Sequence, residues 1–219
     1  VLLKHVYSIS VILLLLLGTI VSKAQNPFAF HLNDKKELPS DKVYHLGKDS
    51  KGFIWMSSNA GLFRYDGFQY KLYKSDKQTS LPGSGIQEDR LGRIWYENFD
   101  GFLYYVEQDT LKSLQQNPPM GFVPPGITEK HLFVVQKNGV DIYDLATLVH
   151  IRTISIPIEE PEHSTVLGDS FYLTADHIVY KIDADLSLSS SSYFKDKKFK
   201  VKYVNVYEDK IFIVSKNNE

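Results

Sequence analysis

From about residue 41 onward the chain alternates short apolar runs with clusters of Asp, Gly, Asn and Ser. The first such runs are Val43–Lys48, Phe53–Ser57, Leu62–Tyr65 and Phe68–Tyr73. Each has strand length, and none shows the 3.6-residue period of an amphipathic helix. The clusters between them read as reversals. Asp49 and Gly52 flank the first, Asn59-Ala60-Gly61 forms the second, and Asp66-Gly67 carries a hairpin signal. Asp bonds the backbone two residues on, and Gly supplies positive φ. Four short antiparallel strands in about forty residues are predicted.

The pattern then repeats. Asp49-Ser50-Lys51-Gly52-Phe53-Ile54-Trp55 is followed forty residues later by Asp89-Arg90-Leu91-Gly92-Arg93-Ile94-Trp95. The same spacing carries Gly61 onto Gly101, Arg64 onto Tyr104 and Tyr65 onto Tyr105, and the chain's two tryptophans share one repeat position. Weaker copies run through Gly139, Tyr143 and Asp144, where Tyr143-Asp144 echoes Tyr65-Asp66, then through Phe171–Asp183, and begin again at Lys210. A period near forty with four strands per unit is that of a β-propeller blade. A β-sandwich does not explain the period, and a parallel β-helix needs shorter repeats. The fold class expected is all-β: an incomplete propeller of about four four-stranded blades and the start of a fifth, at residues 41–78, 79–116, 127–160, 164–195 and 200–219.

Before the repeats, Lys4 and His5 precede an apolar run from Ile9 to Val21, and Val21-Ser22-Lys23-Ala24-Gln25 offers a small-x-small exit. The run is shorter than the roughly 20 residues of a spanning helix, so residues 1–24 read as a signal-peptide helix and 25–40 as a lead-in. Export follows. The sequence has no cysteine, which excludes disulfides and thiolate chemistry. A net charge of −1 without a basic stripe argues against nucleic acid.

The segments Leu38-Pro39-Ser40, Val43-Tyr44, Asp49–Trp55 and Gly61-Leu62-Phe63-Arg64-Tyr65-Asp66-Gly67 resemble the two-component regulator propeller repeat. The resemblance is close over residues 38–106 and loose beyond. It implies the periplasmic sensor region of a bacterial sensor histidine kinase anchored in the inner membrane. The ligand would be an unknown small molecule or glycan, or a periplasmic protein, and the full receptor would be a homodimer. The catalytic kinase domain would lie outside this chain.

No catalytic constellation, metal set or cofactor is expected. Gly83-Ser84-Gly85 lacks the Lys-Ser/Thr of a phosphate loop, and His5, His31, His45, His131, His150, His163 and His177 are scattered. Asp49 and Asp89 admit a calcium site or a general base, but their repetition points to turn capping. Trp55 and Trp95 admit sugar stacking, but a shared repeat position points to packing between blades. The set Asp49, Gly52, Trp55, Gly61, Tyr65, Asp66, Asp89, Gly92, Trp95, Gly101, Tyr105, Gly139, Tyr143 and Asp144 is therefore read as structural. The serines at 189–192 and the prolines around 117–125 are read as connections between blades, and the lysines from Lys195 to Lys202 as a solvated face. An exported propeller enzyme acting on polysaccharide and a surface interaction scaffold stay open as alternatives. An unclosed propeller leaves strand edges unpaired, so residues 25–219 alone are expected to aggregate or bind hydrophobic dyes.

Overall fold

A computed structural model describes His5 and residues 38–117, 119, 121–159, 161–175, 178–192, 200–208 and 210–216. The chain divides into two compact units, 1–35 and 36–219, and every strand below belongs to the second. The signal peptide and most of the lead-in lie outside the described residues.

The first sheet runs β1 (Val43–Lys48), β2 (Ile54–Ser58), β3 (Gly61–Tyr65), β4 (Tyr70–Tyr73) in sequence order. The second runs β5 (Gly83–Glu88), β6 (Ile94–Asn98), β7 (Leu103–Glu107), β8 (Thr110–Ser113). The third comprises β9 (Gly126–Ile127), β10 (His131–Gln136), β11 (Gly139–Asp144) and β12 (His150–Ser155). The fourth comprises β13 (Pro161–Leu167), β14 (Ser170–Ala175), β15 (Ile178–Ile182) and β16 (Leu188–Ser191). A two-stranded fifth pairs β17 (Lys200–Tyr207) with β18 (Lys210–Lys216). All pairings are antiparallel, as hairpin-connected strands must be. First strands meet at β1 to β5, β9 to β13 and β13 to β17.

Three features differ from the sequence expectation. The serine segment is not a connection: Ser189, Ser190 and Ser191 pair with Lys181, Tyr180 and Val179, forming an exposed outermost strand. Its side chains bury nothing, so the ladder bonds alone define it. The Asp66–Gly67 reversal spans four residues rather than two, because Tyr65 pairs with Tyr70. Most informative is the register of the second sheet. Trp55 lies opposite Arg64, but Trp95 lies opposite Tyr105. The turn after β6 holds one residue more than the turn after β2, so Arg64 corresponds in space to Tyr105 and Phe63 to Tyr104.

Apolar clusters glue each sheet to the next. Trp55, Leu62 and Tyr73 of the first meet Ile86, Ile94, Tyr96 and Tyr104 of the second. Trp95, Leu103 and Leu114 meet Leu132, Val134, Tyr143 and Leu145 of the third. Phe133 of the third stacks on Phe171 of the fourth at 4.9 Å and 4°. Each such large side chain contributes roughly 3–5 kcal/mol against truncation to Ala.

Candidate functional site

Antiparallel strands give the sheets two rims. One carries the turns that join the first strand to the second and the third to the fourth. The other carries the turns between second and third strands, together with the connections from sheet to sheet.

On the first rim the polar groups are satisfied. Asp49 Oδ1 accepts from the backbone N–H of Lys51 (3.0 Å) and Phe53 (2.8 Å), and Oδ2 accepts from Trp55 Nε1 at 2.7 Å. Asp89 Oδ1 accepts from Leu91 and Arg93 N–H, and Oδ2 from Trp95 Nε1 (2.8 Å) and Arg93 Nε (2.7 Å). Gly52 and Gly92 sit at φ 92° and 75°, which the reversal requires and a side chain resists. Each indole also meets one tyrosine ring at 5.1 Å and 36°, Tyr73 in the first sheet and Tyr105 in the second. Asp66 Oδ1 accepts from Phe68 and Gln69 N–H, and these bonds hold its carboxyl below the usual range. Tyr65 OH donates to Gly67 O. Asp144 takes the amide and hydroxyl of Thr147, with the same effect on its carboxyl. Tyr143 is buried on β11, and burial pushes its hydroxyl up to about 12.

The four arginines of the chain all reach from one sheet to the next on this rim. Arg64 on β3 lies over the Phe53 ring and pairs with Asp109 in the β7–β8 turn at 3.6 Å. Arg93, in the β5–β6 turn, donates to Leu145 O of the third sheet, and Arg90 donates to Glu129 O. Arg152 on β12 donates to Leu186 O in the β15–β16 turn. A planar fork of donors suits this bridging better than an ammonium does. Sequence reasoning missed these clasps. A cleft of about 220 Å³ beside Arg64 is lined by Lys51, Phe53, Trp55 and Asp109.

The opposite rim is different. Ser57, Glu97 and Gln136 are buried near the ends of β2, β6 and β10, and Ser57 Oγ, Glu97 Oε2 and both Gln136 amide atoms have no hydrogen-bond partner among the described residues. Glu97 is 2% exposed. It faces the third sheet, as Trp95 two residues earlier does, with Ser84 opposite it on β5 and Leu103 on β7. Its Oε1 accepts from Val123 N–H at 3.1 Å. Burial pushes its carboxyl up to about 9, partly offset by that bond. Gly85 stands in a bulge at φ 70°, and even a Cβ there would lie 3.9 Å from Oε2. The inner strand thus approaches the buried acid at Gly85 with no side chain of its own. Gly61 and Gly139 open β3 and β11 at this rim, and Gly101 lies in the β6–β7 turn against Gly121 O. His45 Nδ1 accepts from Ile86 N–H, and burial lowers its pKa. On the same rim Tyr44, Phe99 and Phe122 form an exposed row with centroids 4.9 and 5.5 Å apart. The signal for Glu97 was a departure from the repeat: Ile54-Trp55-Met56-Ser57 becomes Ile94-Trp95-Tyr96-Glu97. Among the described residues no group of three or more His, Asp and Glu could hold a metal ion.

No protein-family model and no curated protein matches the sequence. Solved structures share the fold. Virginiamycin B lyase from Staphylococcus aureus aligns with a TM-score of 0.60 at 18% identity, over 74% of this chain and 59% of the lyase. The extracellular domain named as that of the hybrid two component system BT3049 from B. thetaiotaomicron gives 0.60 at 18%, over 84% of this chain and 29% of that one. A gluconolactonase from Xanthomonas campestris gives 0.51 at 12%, over 68% and 61%. This chain thus spans less than two thirds of each of them. Four successive four-stranded sheets and these likenesses define the class: an incomplete β-propeller.

Proposed function

We propose that the chain is part of the extracytoplasmic sensing propeller of a two-component sensor histidine kinase, recognising a ligand or a partner protein and acting in a dimeric receptor of the inner membrane. The observation that carries this reading is the Asp-x-x-Gly-x-x-Trp repeat, which resembles the regulator propeller repeat. It stands on a fold shared with extracellular domains named for such systems. The committed state of Asp49 and Asp89 supports it against an exported polysaccharide enzyme. Their carboxylate oxygens are held by backbone and indole donors rather than turned toward a substrate. Export and a periplasmic location belong to the same reading. Binding would shift the receptor between two arrangements by its differential affinity for them.

The test is the coding sequence beyond Glu219. The reading expects a membrane helix followed by a kinase core. A coding region that holds neither overturns it.

A further inference from the structure

On the Asp–Trp rim the first and second sheets meet at the cleft of about 220 Å³ beside Arg64. Its walls come from the β1–β2 turn at Lys51 and Phe53, from Arg64 on β3, and from the β7–β8 turn at Gln108 and Asp109. The acids here are already satisfied. Asp49 accepts from the backbone N–H of Lys51 and Phe53 and from the Trp55 indole. Asp109 Oδ2 accepts from Lys71 and Oδ1 from Tyr73 OH at 2.6 Å, and the Lys71 bond first, then the Tyr73 bond, hold its carboxyl below the usual range. Glu88, beside Gly92, accepts from Ser50. The bases are not satisfied. Arg64 stands 3.6 Å from Asp109, an ion-pair distance too long for a hydrogen bond, and its side chain is 25% exposed. Its guanidinium lies over the Phe53 ring at 4.4 Å, which restrains the fork of donors. Neither Arg64 nor the exposed Lys51 donates a side-chain hydrogen bond to any of the described residues.

The second sheet uses its arginine differently. Arg93 stands at the repeat position of Phe53, is 3% exposed, and donates to Asp89 and to Leu145 O. Tyr105 takes the place of Arg64 opposite the indole. A clasp uses up its donors, whereas Arg64 keeps them beside a cavity. A guanidinium fork with free donors matches the two oxygens of a carboxylate. Lys51 adds a second cation and Gln108 an amide, while Phe53, Ile94 and Val106 supply an apolar wall. Asp49 and Asp109 in the same walls repel a second negative charge, which favours a monoanion over a phosphate or a dicarboxylate. The volume lies below the roughly 300–1,000 Å³ of pockets for drug-sized ligands, so the ligand is small.

We propose that this cleft binds a small organic monocarboxylate, its oxygens on the Arg64 fork and Lys51 and its body against Phe53, Ile94 and Val106. The assignment goes beyond the sensing reading and stands separately from it. Binding is read on the protein, whereas the sensing reading is tested on the coding sequence beyond Glu219.

Benzoate is the probe, with benzamide as its uncharged isostere and inorganic phosphate as the more highly charged comparison. Calorimetry and ligand-observed NMR on the full-length protein at neutral pH are expected to show benzoate binding that weakens with added salt. Benzamide and phosphate should each bind at least about tenfold more weakly. Arg64→Gln should lower benzoate affinity at least about tenfold, as the loss of a charge-assisted bond does. Lys51→Ala changes an exposed side chain and keeps the test decisive where Arg64→Gln does not fold; it should weaken binding about threefold. Arg152→Gln, at the exposed arginine of β12, should leave affinity unchanged. No benzoate binding to folded protein, benzamide or phosphate binding as tightly as benzoate, or unchanged affinity in folded Arg64→Gln or in Lys51→Ala would each overturn the assignment.

Discussion

The two rims of the propeller are built on opposite rules. On the Asp–Trp rim every motif carboxylate has its donors, and arginines clasp each sheet to its successor up to the fourth. On the opposite rim, Ser57, Glu97 and Gln136 keep buried polar atoms unmatched among the described residues, near the ends of β2, β6 and β10 in three successive sheets. Most buried polar atoms in proteins find partners, since a stranded one costs about 1–3 kcal/mol. The contrast separates a rim closed by repeated local bonds from one where polar atoms are buried without partners. The repeat that dominates the sequence secures the first rim, and departures from the repeat mark the second.

The largest effect that would break this contrast is expected at the Asp89 cluster. Asp89→Ala strands the buried Arg93 guanidinium and the Trp95 N–H together, and should cost about 3–5 kcal/mol in chemical denaturation. Asp49→Ala, which strands an indole but no buried arginine, should cost less, about 1–3 kcal/mol. Equal losses at the two positions would show that the arginine clasp adds nothing.

Next in size is a pH effect confined to the opposite rim. The folded-state pKa of Glu97 is raised above its unfolded value, so the native protein binds the extra proton between about pH 4.5 and 9. Its contribution is fully present below that window and is lost as pH rises through it, by at most about 1.4 kcal/mol for each pH unit. Urea unfolding at pH 5.5 and 8.5 should show this slope, and Glu97→Gln should flatten it while leaving stability at pH 7 within about 1 kcal/mol of the Glu97→Gln variant's own value at pH 5.5. A slope unchanged in Glu97→Gln would assign it to other groups.

The smallest effect sharpens the account of the clasps. Arg152 is exposed and makes one carbonyl contact, so Arg152→Lys should cost no more than about 0.5 kcal/mol. A loss comparable with that at Asp89 would mean that exposed clasps hold sheets as firmly as buried ones.

Much of the architecture was legible because each reversal is local chemistry. Asp49, Gly52, Asp89 and Gly92 announce their turns, and the two tryptophans set the period. What escaped was whatever the repeat does not encode. The extra residue after β6 was hidden because Gly61 and Gly101 align in sequence although only Gly61 enters a strand. The strand at Leu188–Ser191 was hidden because its exposed serines carry no apolar alternation. The arginine clasps come from a third strand, a turn and a fourth strand, so no spacing unites them. Glu97 was visible only as a mismatch between two otherwise similar blades.

The central claim is that Glu97 is a neutral acid waiting at the unmatched rim. Infrared difference spectroscopy of the full-length protein, with Glu97→Gln as the subtraction, reads its carboxylic C=O stretch directly as pH is raised. The account predicts that the protonated band persists through neutral pH and disappears near pH 9. Disappearance of that band near pH 4.5, with a carboxylate signal at pH 7, would contradict it.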